Sequence, residues 1–142
     1  MQKIAKFYKV SEKQFIDDWC AETGCSVSEA RMVYQKIRLP RRATVGSAGY
    51  DFFAPEAFSL VPHETIKIPT GIRAEIAEGW VLQIYPRSGL GFKYRLQMDN
   101  TVGIIDSDYF TAKNEGHIFI KMTNSNRQGK TLSIVGGEGF AQ

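Results

Sequence analysis

The chain is 142 residues long with a net charge of +3, and its 43% hydrophobic, 23% charged composition suits one soluble domain with a substantial core and a short appendage. No apolar run approaches the ~20 residues that span a bilayer, and the start, Met1-Gln2-Lys3-Ile4-Ala5-Lys6, lacks the apolar stretch of a secretory signal, so a cytoplasmic location away from membranes is expected. The mild pI near 8.9 and the dispersed basic residues argue against polymeric nucleic acid as a partner.

Residues 1–37 read as a helical extension. Ser11 and Gln14 form a capping-box pattern, and Val10 and Phe15 occupy hydrophobic-staple positions, so a helix is predicted from near Ser11 carrying Phe15, Ile16, Trp19 and Cys20. Gly24 marks a break. Ser26 with Glu29 repeats the capping box, and Ala30, Val33, Tyr34 and Ile37 then fall on one face of a second helix that Pro40 ends. Plain packing against the main domain is the expected role of this stripe. Cys20 and Cys25 lack the further Cys or His of a zinc set and read as reduced structural thiols. Arg38, Arg41 and Arg42 read as a solvated linker, and His63 and His117 as ordinary surface or satisfied histidines.

From residue 40 onward the pattern is that of an all-β domain, residues 38–142. Thr65–Ile68, Gly71–Ile76, Val81–Tyr85, Ile118–Met122 and Thr131–Val135 alternate or form short apolar runs, with Gly and Pro between most of them. No long helical pattern separates them, which predicts a sandwich or barrel rather than a parallel α/β sheet.

Three segments carry chemistry. Gly46–Asp51 is a small-residue turn leading to a carboxylate, Asp51, suited to a hydrated Mg²⁺. Pro86-Arg87-Ser88-Gly89-Leu90-Gly91 predicts a Gly-rich turn after a strand: Arg87 offers a planar fork of donors, Ser88 a hydroxyl, and the glycines let backbone N–H groups approach an anion. In Asn100–Tyr109, Asn100 supplies an amide that can donate and accept at a base edge, and Tyr109 a flat ring. Asp106 and Asp108 would share one side of an extended segment. Their repulsion calls for a cation such as Arg87, or for raised proton affinity in one of them, a setting that suits a general base.

In this order and spacing the segments closely resemble the motifs of the all-β dUTP diphosphatase (dUTPase) family over residues 38–142. Ala48–Asp51 is similar to the first motif, Pro86–Leu90 to the second, Asn100–Tyr109 to the third and Gly137–Gln142 to the fourth. The resemblance implies a distorted β-barrel or jelly-roll, hydrolysis of dUTP to dUMP and pyrophosphate with Mg²⁺, and a homotrimer whose sites lie between subunits. It also implies roles. Asp106 would activate the attacking water, and Asn100 would read uracil with backbone groups around Met98 and Gly103. Tyr109 would pack under the deoxyribose and exclude a 2′-hydroxyl. Arg87, Ser88, Gly89 and Gln142 would contact phosphates, and Asp51 would hold the metal through water.

The sequence departs from the family pattern in places. Phe110–Glu115 precede Gly116 where the family turns sooner, which predicts a longer loop beside the site. Glu138-Gly139 replaces an acid–Arg pair. A Gly-rich fifth motif that closes over the substrate would follow Gln142; without it, slow turnover is expected. The rival readings are a dCTP deaminase or bifunctional deaminase, for which Glu115 is a candidate acid, and a non-catalytic nucleotide-binding module. The Asp-Ser-Asp-Tyr run at 106–109 favours the diphosphatase.

Overall fold

The computed structural model describes residues 2–142, a jelly-roll-like β fold whose short sheets do not close into a continuous barrel. Its widest sheet is three-stranded, with β9 (Phe119–Asn124) between β4 (Thr65–Pro69) and β7 (Leu96–Met98), both antiparallel to it. Alternation explains β9: Ile120, Met122 and Asn124 are buried while Lys121 is exposed. Two-stranded ribbons surround it. They pair β3 (Phe58–Leu60) with β10 (Leu132–Ile134), β2 (Phe52–Phe53) with β11 (Gly139–Ala141), and β6 (Val81–Ile84) with β8 (Gly103–Asp106). Phe52, Ile84, Leu96, Ile120, Met122 and Phe140 are among the fully buried side chains. Each contributes ~1.5–3 kcal/mol of apolar burial.

The leader is not helical throughout. β1 (Ala5–Lys9) pairs antiparallel with β5 (Ile72–Ile76), from Ala5 opposite Ile76 to Lys9 opposite Ile72. The helices follow where the sequence places them. α1 (Glu12–Thr23) is capped by Ser11, whose hydroxyl accepts the Gln14 N–H at 3.1 Å, and the staple residues Val10 and Phe15 are both buried. The capping box is only half formed, however. Gln14 turns to Asp18, and the Ser11 N–H donates instead to Glu115, 104 residues away. α2 (Val27–Lys36) has the complete box from Ser26 and Glu29 and stops at Ile37, before Pro40. Phe15, Ile16, Trp19, Ala30 and Ile37 join the strands in one continuous core. Cys20 and Cys25 are free, with sulfurs 3.8 Å apart.

Gly71 is where leader and β domain meet. Its carbonyl accepts the Val10 N–H, its N–H donates to His117 Nε2, and its φ of 77° with Ile37 Cδ1 2.3 Å from any added Cβ leaves room only for glycine.

His117 has no exposed surface. Burial holds its pKa below the usual 6.5, against the opposing pull of the Asp18 and Glu115 carboxylates. The folded state therefore binds this proton less readily than the unfolded chain, so stability from this group is complete above pH 6.5 and falls as pH drops below it. For Glu115 burial acts upward, but the two Ser11 hydrogen bonds, Arg73 and His117 together bring its pKa below 4.5, so its contribution is lost at lower pH still. The urea midpoint is expected to decline between about pH 7.5 and about pH 5.5, and His117→Gln should flatten that limb. An equal slope in the variant would exclude His117 as its source.

Candidate active site

Apart from Asp51, the sequence-predicted site residues gather in two separate clefts with no lining residue in common; Asp51 lines a further hollow with Arg41, Arg42 and Phe53. The first, about 320 Å³, is built by the end of β7, the turn after it, and β8, and is lined by Met98, Asn100, Gly103, Asp106, Asp108 and Tyr109 among others. The turn is tight: the Thr101 N–H donates to Met98, the Val102 N–H to Asn100, and Thr101 adopts a φ of 69°. It leaves the Asn100 amide exposed at the mouth. Gly103 is buried against Ile84 Cβ, which an added Cβ would meet at 3.0 Å, so its backbone forms the cleft floor.

Asp106 ends β8 and is the N-cap of a 3₁₀ turn, Ser107–Thr111, yet makes no side-chain cap hydrogen bond. Its carboxylate is exposed. The expectation that Asp106 and Asp108 lie together on extended chain fails because the backbone turns helical at Ser107. Arg87 does not compensate this pair either, since it pairs with Asp51, outside this cleft. Tyr109 is tethered rather than free. Its hydroxyl donates to the His117 carbonyl at 2.7 Å and accepts from Asn114 Nδ2 at 2.9 Å.

The second cleft, about 400 Å³, is lined by Arg87, Ser88, Gly89, Lys93, Glu138 and Gln142 with their neighbours. The expected Gly-rich turn is here the start of a short helix, α3 (Ser88–Tyr94), with Arg87 as N-cap. The Leu90 and Gly91 N–H groups donate to the Arg87 carbonyl, so within the helix only the Ser88 and Gly89 N–H groups, on residues that line the cleft, are left without an acceptor. Arg87 joins three segments: Nε lies 3.5 Å from Asp51 Oδ1, and Nη1 donates to the Gly139 carbonyl at 3.2 Å. The Gly at 139 has a consequence, since an added Cβ would stand 3.1 Å from Arg87 Nη1. Gln142 pairs through its backbone with Tyr85 in both directions, and its side chain lies over Gly49, so the first and fourth segments are adjacent.

Sequence reasoning placed Arg38, Arg41 and Arg42 in a solvated linker. They are exposed, but Arg38 lies 4.2 Å over the Phe53 ring, Arg42 lies 5.3 Å over Tyr50, and the Arg41 backbone pairs with that of Asp51. The result is a cationic rim next to Asp51. Its signal in the sequence was the run of three arginines just ahead of the Gly46–Asp51 segment.

Among the described residues no three His, Cys, Asp or Glu side chains converge as a metal cage. Asp51 alone fits an ion that keeps most of its water and takes its remaining oxygens from a polyphosphate. Glu115, the candidate acid of a deaminase, is already committed: Oε1 accepts the Ser11 N–H at 2.8 Å and Oε2 the Ser11 hydroxyl at 2.6 Å.

The dUTPase family model matches residues 35–142. Similar curated proteins are the deoxyuridine 5′-triphosphate nucleotidohydrolases of Lactococcus lactis, 46% identical over 62% of this chain and 59% of that protein, and of Pectobacterium carotovorum, 42% identical over 78% and 70%. The aligned stretch thus spans less than two thirds of the Lactococcus protein. Among solved structures the dUTPase of Streptococcus mutans is similar with a TM-score of 0.63 at 36% identity, covering 76% of this chain and 83% of that one. No described helix is long and apolar enough to cross a membrane.

Proposed function

The chain belongs to the dUTPase family, and from that premise we propose that it hydrolyses dUTP to dUMP and pyrophosphate at a site made from both clefts. The observation that carries the reading is the pairing of an uncommitted carboxylate, Asp106, with an exposed amide and a tethered ring in one cleft, and a guanidinium-centred donor set in the other.

Asn100 meets the uracil edge, with the backbone near Met98 and Gly103 closing the base pocket. Tyr109 packs under the deoxyribose. Asp106 takes a proton from a water, whose oxygen bonds to the α-phosphorus as the bond from that phosphorus to the bridging oxygen breaks and pyrophosphate leaves. Phosphoryl transfer asks the protein mainly for positioning and charge stabilisation. Arg87, Ser88, Gly89 and Gln142 supply it around the phosphates, and Asp51 would hold a hydrated Mg²⁺. When bound, that cation neutralises polyphosphate charge.

The same reading makes the enzyme a homotrimer, each site drawing one cleft from one chain and the other from its neighbour. The separation of the two clefts supports it. So does the apolar surface at β6 and β8, where Trp80, Val81 and Ile104 are 56%, 46% and 50% exposed. Neither a deaminase nor a non-catalytic module gains support: Glu115 is occupied, and a scaffold has no use for an unpaired carboxylate beside a phosphate cradle.

Pyrophosphate release is to be measured on dUTP, UTP, dCTP and dTTP with and without Mg²⁺. Release from dUTP alone supports the proposal; ammonia from dCTP, or binding without turnover, would replace it. Tyr109→Ala should reduce the preference for dUTP over UTP by ~10-fold or more, since the ring is the wall that a 2′-hydroxyl would strike. An unchanged preference would remove Tyr109 from that role.

A further inference from the structure

The leader lies almost entirely outside residues 35–142, the stretch matched by the family model, yet it is bonded to the loop that holds Tyr109. The connection runs through His117. Its Nε2 accepts the Gly71 N–H at 2.8 Å, which leaves the ring proton on Nδ1, and Nδ1 donates to Asp18 Oδ2 of α1 at 2.6 Å. The ring is thereby fixed at both nitrogens. The carbonyl of the same residue accepts the Tyr109 hydroxyl, and its ring packs edge-on against Phe119 at 4.8 Å, a second wall of the cleft that Tyr109 lines.

A second tie holds the same loop. Ser11, the N-cap of α1, donates from its N–H and its hydroxyl to the two oxygens of Glu115. The loop has no slack to absorb a shift at these points. Gly116, at a φ of 70°, runs so close that an added Cβ would meet the Tyr109 carbonyl oxygen at 2.5 Å and Phe110 Cα at 2.9 Å. Displacement of His117 or Glu115 is therefore passed to the Tyr109 backbone and hydroxyl.

We propose that α1 is a positioning element for Tyr109, acting through Asp18–His117 and Ser11–Glu115, and that this junction sets how strictly the site rejects a 2′-hydroxyl. The proposal rests on the dUTPase reading above and gives the leader a role in it. A wall that excludes one hydroxyl group works only if held within about 0.5 Å of its place, and a displacement near 1 Å elsewhere in an active site can cost about 100-fold. Asp18 and Ser11 touch no substrate in this scheme; they act by fixing the residue that does.

The test compares Asp18→Ala with Asp18→Asn, whose amide oxygen still accepts the His117 Nδ1–H. Two readouts are taken on the full chain: the ratio of kcat/KM for dUTP to that for UTP, and the ¹⁹F resonance of Tyr109 in 3-fluorotyrosine-labelled protein, assigned by its loss in Tyr109→Phe. Asp18→Ala is expected to lower the ratio by about 10-fold and to shift or broaden the Tyr109 signal, with Asp18→Asn restoring both. A purely structural role for α1 would lower both kcat/KM values together and leave their ratio alone. That result, or an unmoved Tyr109 resonance, overturns the proposal. Should Asp18→Ala not fold, Ser11→Ala at the exposed N-cap carries the same comparison. Absence of dUTP hydrolysis in the unmodified protein would overturn the dUTPase reading and the specificity half of the proposal. The fluorine signal would still decide whether α1 positions Tyr109.

Discussion

Asp106→Asn is expected to lower kcat on dUTP by ~10²–10⁴-fold, the usual contribution of a positioned base, while dUTP binding stays within a few-fold of the unmodified protein. The substitution keeps the shape of the side chain and its capacity to hydrogen-bond a water, and removes its negative charge and with it its ability to take the proton. Asp106 is a favourable place for so selective a test. Its carboxylate caps no N–H of the following 3₁₀ turn, so the change breaks no cap and should leave the fold intact. Loss of one negative charge beside a triphosphate would, if anything, tighten binding. Single-turnover hydrolysis and calorimetric titration separate the two effects. Turnover near that of the unmodified protein would sink the assignment of Asp106 as base.

Arg87, Ser88, Asn100, Asp106 and Tyr109, which line the two clefts, stood out in the sequence because each has a distinctive group in a short local motif. Their partners did not. Arg87 could be read as an anion-binding fork, but its carboxylate neighbour is Asp51, brought in by the β2–β11 ribbon, rather than the Asp106–Asp108 pair nearer in sequence. Local helix signals show the same limit. Ser26 with Glu29 closes its box, whereas the equivalent box at Ser11 opens because Glu115 offers two oxygens from across the fold. The longer strands were visible through alternation in such runs as Ile118–Met122. β2, β3, β7 and β11 have only two or three residues, too few to show a period, and partner pairing alone defines them. β1 was hidden by its composition, Ala-Lys-Phe-Tyr-Lys, in a leader dominated by helical signals. α3 carries two glycines, which read as a turn, and forms where Leu90 and Tyr94 pack against the core.

Arg87→Ala is expected to lower kcat/KM by ~10²–10³-fold, the range seen when a preorganised donor to developing charge is removed. The loss has two parts. One is the guanidinium itself, and the other is the register it imposes on Asp51 and Gly139, which would be left without their common partner. Arg87→Lys should recover only part of the activity, since an ammonium cannot keep the Asp51 and Gly139 contacts in one rigid fork. Gly139→Ala should give a smaller loss by pressing on Nη1 while leaving the charge in place. Because Arg87 and Asp106 line different clefts, Arg87→Ala and Asp106→Asn chains can also be mixed. If the proposed trimer forms and each site joins one cleft from each of two chains, about a quarter of the sites in an equal mixture would combine an intact Arg87 with an intact Asp106, and activity should return to about that fraction. If both clefts of a site come from one chain, every site carries one defect and the mixture stays inactive.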